Sequence, residues 1–156
     1  AAAASLAHVK GGFGRMESFT VSGVPVTMIL VKNPAGCDRA ISYVAAQPGD
    51  KLCVLSLCDR TADGTDVSWI WDAAFETLTA GCDRFLVSGT RAEDMKLRLK
   101  YAGAQESSVR VVGSEEEIIA AIRESVVPVY LLPTYTAMLP LRAALSRLTG
   151  RKEFWK

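Results

Sequence analysis

The stretch Leu52-Cys53-Val54-Leu55-Ser56-Leu57 decides the fold, because five of its six residues are apolar and none is charged. A strand with one wet face would alternate, whereas a continuous apolar run marks a strand buried on both faces. Working outward, Val26–Val31 precedes it, and Phe85–Val87, Val109–Val112 and Val129–Leu132 follow. The intervals between these runs have helical periodicity. Cys37, Ile41 and Val44 fall on one face of the first interval, Ile118, Ile119 and Ile122 on one face of a later one, and Leu141, Leu145 and Leu148 do the same in the last. Thr90 with Glu93 and Ser114 with Glu117 stand at capping-box spacing where helices should begin. Strands alternating with helices predict an α/β fold, a Rossmann-like three-layer sandwich with a mainly parallel sheet. In such sheets function gathers at the carboxyl ends of the strands.

At 156 residues the chain fits one domain with a core of its own. Lys and Arg number 18 against 17 Asp and Glu, and neither sign forms a long block, so a nucleic-acid partner is not expected. The apolar runs fall far short of the roughly 20 residues of a membrane-spanning helix. Cys37, Cys53, Cys58 and Cys82 form no C-x-x-C pair and read as buried free thiols of a reducing compartment. With His8 the only histidine, no zinc site is expected. Residues 1–14 are rich in Ala and Gly and read as a linker from a preceding domain, leaving 15–156 as the domain proper.

Three strand ends carry unusual loops: 32–36, 58–68 and 132–136. The second continues into Asp59-Arg60-Thr61-Ala62-Asp63-Gly64-Thr65-Asp66-Val67-Ser68-Trp69-Ile70-Trp71-Asp72, with four carboxylates and two tryptophans. Asp63-Gly64 suits a turn, and Asp66 or Ser68 suits the cap of a helix running on through Phe75. The segment lacks the alternate-position carboxylates and closing Glu of a calcium loop. Trp69 and Trp71 alternate, so they should not share one buried face, and an interface is the natural place for one of them. Lys32-Asn33-Pro34-Ala35-Gly36 follows a strand and opens a helix, where backbone amides can receive an anion or simply make a tight turn with Pro near the helix start. Arg15, at the end of the linker, is either a hinge residue reaching into a cleft or an exposed charge. The sequence holds no G-x-x-x-x-G-K-[ST] phosphate loop, no G-x-S-x-G elbow and no self-contained Cys/His or Ser/His/Asp set.

Taken in order, 14–17, 30–36, 62–72, 88–94, Leu97-Arg98-Leu99-Lys100-Tyr101-Ala102 and 133–139 resemble the signature of one family, the C-terminal domain of the Mur ligase-like subunit of lipid II isoglutaminyl synthase. The resemblance spans Gly14 to about Leu148. It implies a cytoplasmic two-subunit amidotransferase at the inner face of the membrane. A class I glutaminase subunit would supply ammonia, and the Mur ligase-like subunit would use ATP and Mg to activate the α-carboxylate of D-glutamate in lipid II. The phosphate loop would belong to a central domain outside this sequence, over which the present domain closes, and the isolated domain would be inactive. The matching positions put Arg15, and with them Lys32 and Asn33, on the nucleotide side. Other Mur ligases have Asp and His before that Asn-Pro, and these are replaced here. The resemblance also implies that Asp66 completes the partner's Cys-His site, with Asp63, Trp69 and Trp71 on the partner face and Asp63 as the alternative acid. The competing expectations are a docking module that only binds the glutaminase subunit, and a stand-alone flavodoxin-like or nucleotide-binding domain.

Overall fold

The structure, a computed structural model, describes residues 16–150. Arg15 and the linker 1–14 with His8 lie outside the described residues. Six strands form one sheet: β1 (Met16–Val21), β2 (Val24–Ile29), β3 (Leu52–Ser56), β4 (Phe85–Ser88), β5 (Val109–Val111) and β6 (Val129–Pro133), in the order β1-β2-β6-β3-β4-β5. The connecting helices are α1 (Pro34–Ala46), α2 (Phe75–Gly81), α3 (Ala92–Tyr101), α4 (Glu115–Glu124) and α5 (Tyr135–Thr149). All pairings are parallel except β1 with β2. The mainly parallel Rossmann-like sandwich expected from the sequence is what the chain adopts.

Continuous apolar strands feed two cores. Cys53, Leu55, Phe85, Val87, Tyr130 and Leu132 face α1, α2 and α3, while Val54, Leu86, Val129 and Leu131 face α4 and α5. Period-two alternation of the strand divides the residues between the layers, and both sets are apolar because both faces are covered. Cys37, Ile41 and Val44 are fully buried, as expected for one face of α1. All four cysteines are free and buried, and burial pushes the Cys37 thiol up to about 12.

Four expectations need correction. The sequence predicts five strands, none of them before Val26, whereas Met16–Val21 forms a sixth. That strand is an antiparallel edge joined to β2 through Ser22 and Gly23, both at positive φ (52° and 80°), the geometry of a type I′ hairpin turn. Thr90 caps no helix. Arg91 stands at the cap position of α3 with no side chain capping the helix, and the Thr90 hydroxyl is drawn to Asp59 in the neighbouring loop, donating to its Oδ1 at 2.8 Å. Ser114 does cap α4, accepting from the Glu117 N–H, and the Glu117 carboxylate accepts from Gly113. Ile118 and Ile122 are buried and Ile119 packs against them, but Leu148, in the last turn of α5, is 40% exposed. Finally, the helix expected to run through Phe75 is broken in two: a 3₁₀ turn at Ser68–Trp71 and then α2.

Gly89, at the end of β4, permits the closest approach in the sheet. Its φ is +98°, and a Cβ there would lie 2.2 Å from the Leu57 carbonyl oxygen, an acceptor already bonded to the Arg91 N–H at 2.9 Å. Neither the backbone conformation nor the space admits a side chain. Gly89→Ala should therefore destabilise the domain by about 3 kcal/mol or more, read from urea unfolding of the purified protein.

Candidate functional site

The carboxyl ends of β3, β4 and β6 bring their loops together. From β3 the chain passes through Asp59, a 3₁₀ turn at Thr61–Asp63 and the second turn at Ser68–Trp71 before α2. Two fastenings hold this long loop. At the first, Asp63 Oδ1 accepts from the Thr136 N–H at 2.7 Å, while Oδ2 accepts the Thr136 hydroxyl at 2.6 Å and the Arg60 N–H at 3.1 Å. Asp63 is thereby committed to joining the loop to the first turn of α5.

At the second, Arg98 enters from α3 and is 3% exposed. Its Nε donates to the Ile70 carbonyl at 2.8 Å and Nη2 to the Ala73 carbonyl at 2.7 Å. Both terminal nitrogens reach Glu76 at 3.0 Å. The guanidinium also lies against the rings of Trp71 (5.2 Å) and Phe75 (5.4 Å). Glu76 is held below the usual carboxylate range, chiefly by its bond to Arg98. Planar geometry and a fan of donors suit Arg to carbonyl ends that a 3₁₀ turn leaves unpaired.

Between the fastenings, Gly64-Thr65-Asp66 projects from the surface. Asp66 is exposed, and its Oδ1 accepts from the Ser68 N–H at 2.8 Å. Hydrogen bonds from the Ser68 side chain and backbone hold its carboxyl below the usual range, so it is ionised at neutral pH. It borders a notch of about 230 Å³ shared with Trp71 and, from α3, Arg91 and Asp94. Arg91 is bound by Asp59 at 3.1 Å and Asp94 at 2.6 Å. Asp66 has no cation on it among the described residues.

The other expected residues fall as follows. Trp71 is 45% exposed, whereas Trp69 is half-buried against the core, as alternation required. Asn33 caps α1, its Oδ1 accepting from the Gly36 N–H at 2.8 Å with Pro34 in the first turn, and Lys32 is exposed beside it. These two make no complete nucleotide site, and no group of three His, Cys, Asp or Glu among the described residues could hold a metal ion. Sequence reasoning assigned no role to Arg98, Arg91 or Tyr101. The signal was the 3-4-3 spacing of Arg91, Asp94, Arg98 and Tyr101, one polar stripe along α3 on the side that meets the loop.

Fold and site define an open α/β domain whose carboxyl edge displays an acidic, tryptophan-bearing loop, without a self-contained catalytic set among the described residues. Residues 30–138 match the MurT ligase C-terminal family, and the chain belongs to that family. It is 35% identical over 144 residues to the subunit MurT of lipid II isoglutaminyl synthase (glutamine-hydrolyzing) from Streptococcus pneumoniae, covering 90% of this chain and 32% of that protein. To the same subunit of Staphylococcus aureus (strain COL) it is 36% identical over 150 residues, covering 89% of this chain and 33% of that protein. The chain thus spans about a third of the length of the curated relatives it matches.

Arg98→Met should cost about 2–4 kcal/mol in urea unfolding, because it strips two buried carbonyls of their donor and leaves them unsatisfied. For Glu76, whose folded pKa is lowered, the stabilisation it adds is present above the ordinary glutamate range and is lost as pH falls through the lowered value. Melting curves of the wild type and Glu76→Gln should therefore lie apart at neutral pH and converge in acid; a gap that widens in acid contradicts the pairing.

Proposed function

We propose that this chain is the closing domain of the ATP-dependent subunit of a lipid II isoglutaminyl synthase, and that Asp66 serves the glutaminase site of a partner subunit. The supporting observation is that Asp66, at the tip of the loop, faces solvent, ionised and pre-oriented by Ser68, while Asp63 is tied to Thr136 and Arg60. The relatives' names describe a glutamine-hydrolyzing enzyme and call each protein a subunit. The complete enzyme amidates the α-carboxylate of D-glutamate in the stem peptide at the cytoplasmic face of the membrane. Among the described residues no helix is long and apolar enough to cross the membrane itself.

In the proposed arrangement the partner, a class I glutaminase, brings a Cys nucleophile and a His base. Asp66 accepts the outer ring N–H of that His, which fixes the tautomer and stabilises the imidazolium formed when the thiol loses its proton. ATP and Mg belong to a preceding domain, with Arg15 and Lys32 as this chain's contributions. Asn33 has its side-chain oxygen in the α1 cap, so its part is to shape that loop. Trp71 belongs to the partner face, with Trp69 wedged behind it. The alternative, a module that only docks the glutaminase, keeps Trp71 and assigns Asp66 no chemistry.

Asp66→Asn separates the two. It keeps the size of the side chain but offers an amide in place of an acceptor-only carboxylate. In the full-length subunit reassembled with its glutaminase, glutamine-dependent amidation should fall by roughly 10² or more, less than the 10⁴ typical of a serine triad because a thiol depends less on its base. Amidation driven by added ammonium should persist. A parallel loss of both activities would place Asp66 in the ligase cleft or in folding, and loss of neither would leave the docking module.

A further inference from the structure

The family-like segment Leu97-Arg98-Leu99-Lys100-Tyr101-Ala102 finds only part of its use in fastening the loop. Arg98 faces inward, but Tyr101, one turn further along the same side of α3, is 68% exposed. Its ring lies 5.7 Å from that of Trp71 at an interplanar angle of 59°. Trp71 in turn covers the Arg98 guanidinium and borders the notch that contains Asp66. Two large aromatic rings therefore stand side by side in solvent, and one of them, Trp71, borders a carboxylate with no cation on it among the described residues. The support comes from two elements 30 residues apart in sequence, joined through Arg98. Folding alone does not account for Tyr101, since more than half of its surface stays wet and its burial contributes little.

We propose that Tyr101 and Trp71 form the apolar anchor on which the glutaminase subunit seats, so that the docking surface runs across α3 and is not confined to the loop. The inference rests on the proposed role of Asp66, and its two supports are continuity and charge. Trp71 borders the notch that the partner's imidazole must enter to reach Asp66, and Tyr101 stands against Trp71, so the surface that a protein filling the notch covers continues onto Tyr101. Among the described residues the notch has carboxylates at Asp66 and Asp94 and one cation, Arg91, which is also bound by Asp59. That surplus suits a partner surface carrying a cationic or imidazole side chain set in an apolar rim. Aromatic side chains next to a site that loses its water on docking are the usual energetic centre of an interface.

The surface position of Tyr101 makes the test clean, because truncation there leaves the core intact. In calorimetric titration of the full-length subunit with its glutaminase, Tyr101→Ala should weaken the Kd by about tenfold or more, and Tyr101→Phe by much less. Val126→Ser, at a 93% exposed apolar residue in the turn between α4 and β6 and outside the lining of the Asp66 notch, should bind as the wild type does. Wild-type affinity in Tyr101→Ala and also in Tyr101→Arg, which places a charge at the centre of the surface, overturns the anchor. Weakening by Val126→Ser equal to that of Tyr101→Ala overturns it as well, since the effect would then not be local. Failure of the anchor is distinguishable from failure of the catalytic reading. In the first case Tyr101 variants bind normally while Asp66→Asn still loses glutamine-dependent amidation; in the second, Tyr101→Ala binds weakly while Asp66→Asn keeps it.

Discussion

The carboxyl edge of this domain depends on the buried guanidinium of Arg98. Taking a charge out of water is costly unless every donor finds an acceptor, and an isolated buried cation would be strongly unfavourable. Here four donor contacts go to the Ile70 and Ala73 carbonyls and to Glu76, and the flat faces rest on Trp71 and Phe75. Glu76 reaches the pair from solvent and lies in the first turn of α2, where a carboxylate is also favoured by the helix dipole. A Lys in the same place has neither the fork nor the plane. The 3₁₀ turn that carries Trp71 has the shape it has because a single side chain from another helix closes its open carbonyls.

The rest of the loop follows from that constraint. Arg98 fixes its end, Asp63 fixes its beginning to α5, and buried Val67 and Ile70 hold the middle against the first core. What remains is a short tip, Gly64-Thr65-Asp66, whose one ionisable group is aimed by Ser68. A loop left to itself would lose affinity by having to order on contact, whereas a loop held at both ends meets a partner with that entropy already lost in folding. Two carboxylates only three residues apart in sequence are therefore placed differently: Asp63 is bound into the fold, and Asp66 stays exposed at the tip.

Much of this was legible in the sequence. Runs such as Leu52–Leu57 report burial on both faces, and local periodicity located α1, α4 and α5 and the buried faces of α1 and α4. Contacts across the chain were not legible. Thr90 and Glu93 have the spacing of a capping box, but Asp59, 31 residues away, lies nearer the hydroxyl. Whether Asp63 or Asp66 was the available acid could not be decided either, because Thr136 is 73 residues from Asp63. The edge strand β1 escaped notice since it follows an Ala- and Gly-rich segment and is half wet, although Ser22-Gly23 between two alternating runs is a recognisable hairpin signal. Arg98, in a helix with basic residues on either side of Leu97 and Leu99, resembles an ordinary surface charge until its partners are seen.

On the proposed reading, the exposure of Asp66 is a property the mechanism uses. A carboxylate in water interacts weakly with an imidazolium: at 4 Å the attraction is about 1 kcal/mol at the dielectric constant of water, but about 4 kcal/mol at the effective value near a protein surface. In the free subunit, bulk water solvates Asp66 and keeps it ionised without strain, helped by the donors of Ser68. When the partner covers Trp71 and Tyr101, the same act that anchors it removes water from the notch and strengthens the bond between carboxylate and imidazole. Docking and activation then become one event. On this reading the partner gains its third residue only when docked, so ammonia would be released beside the ligase that consumes it.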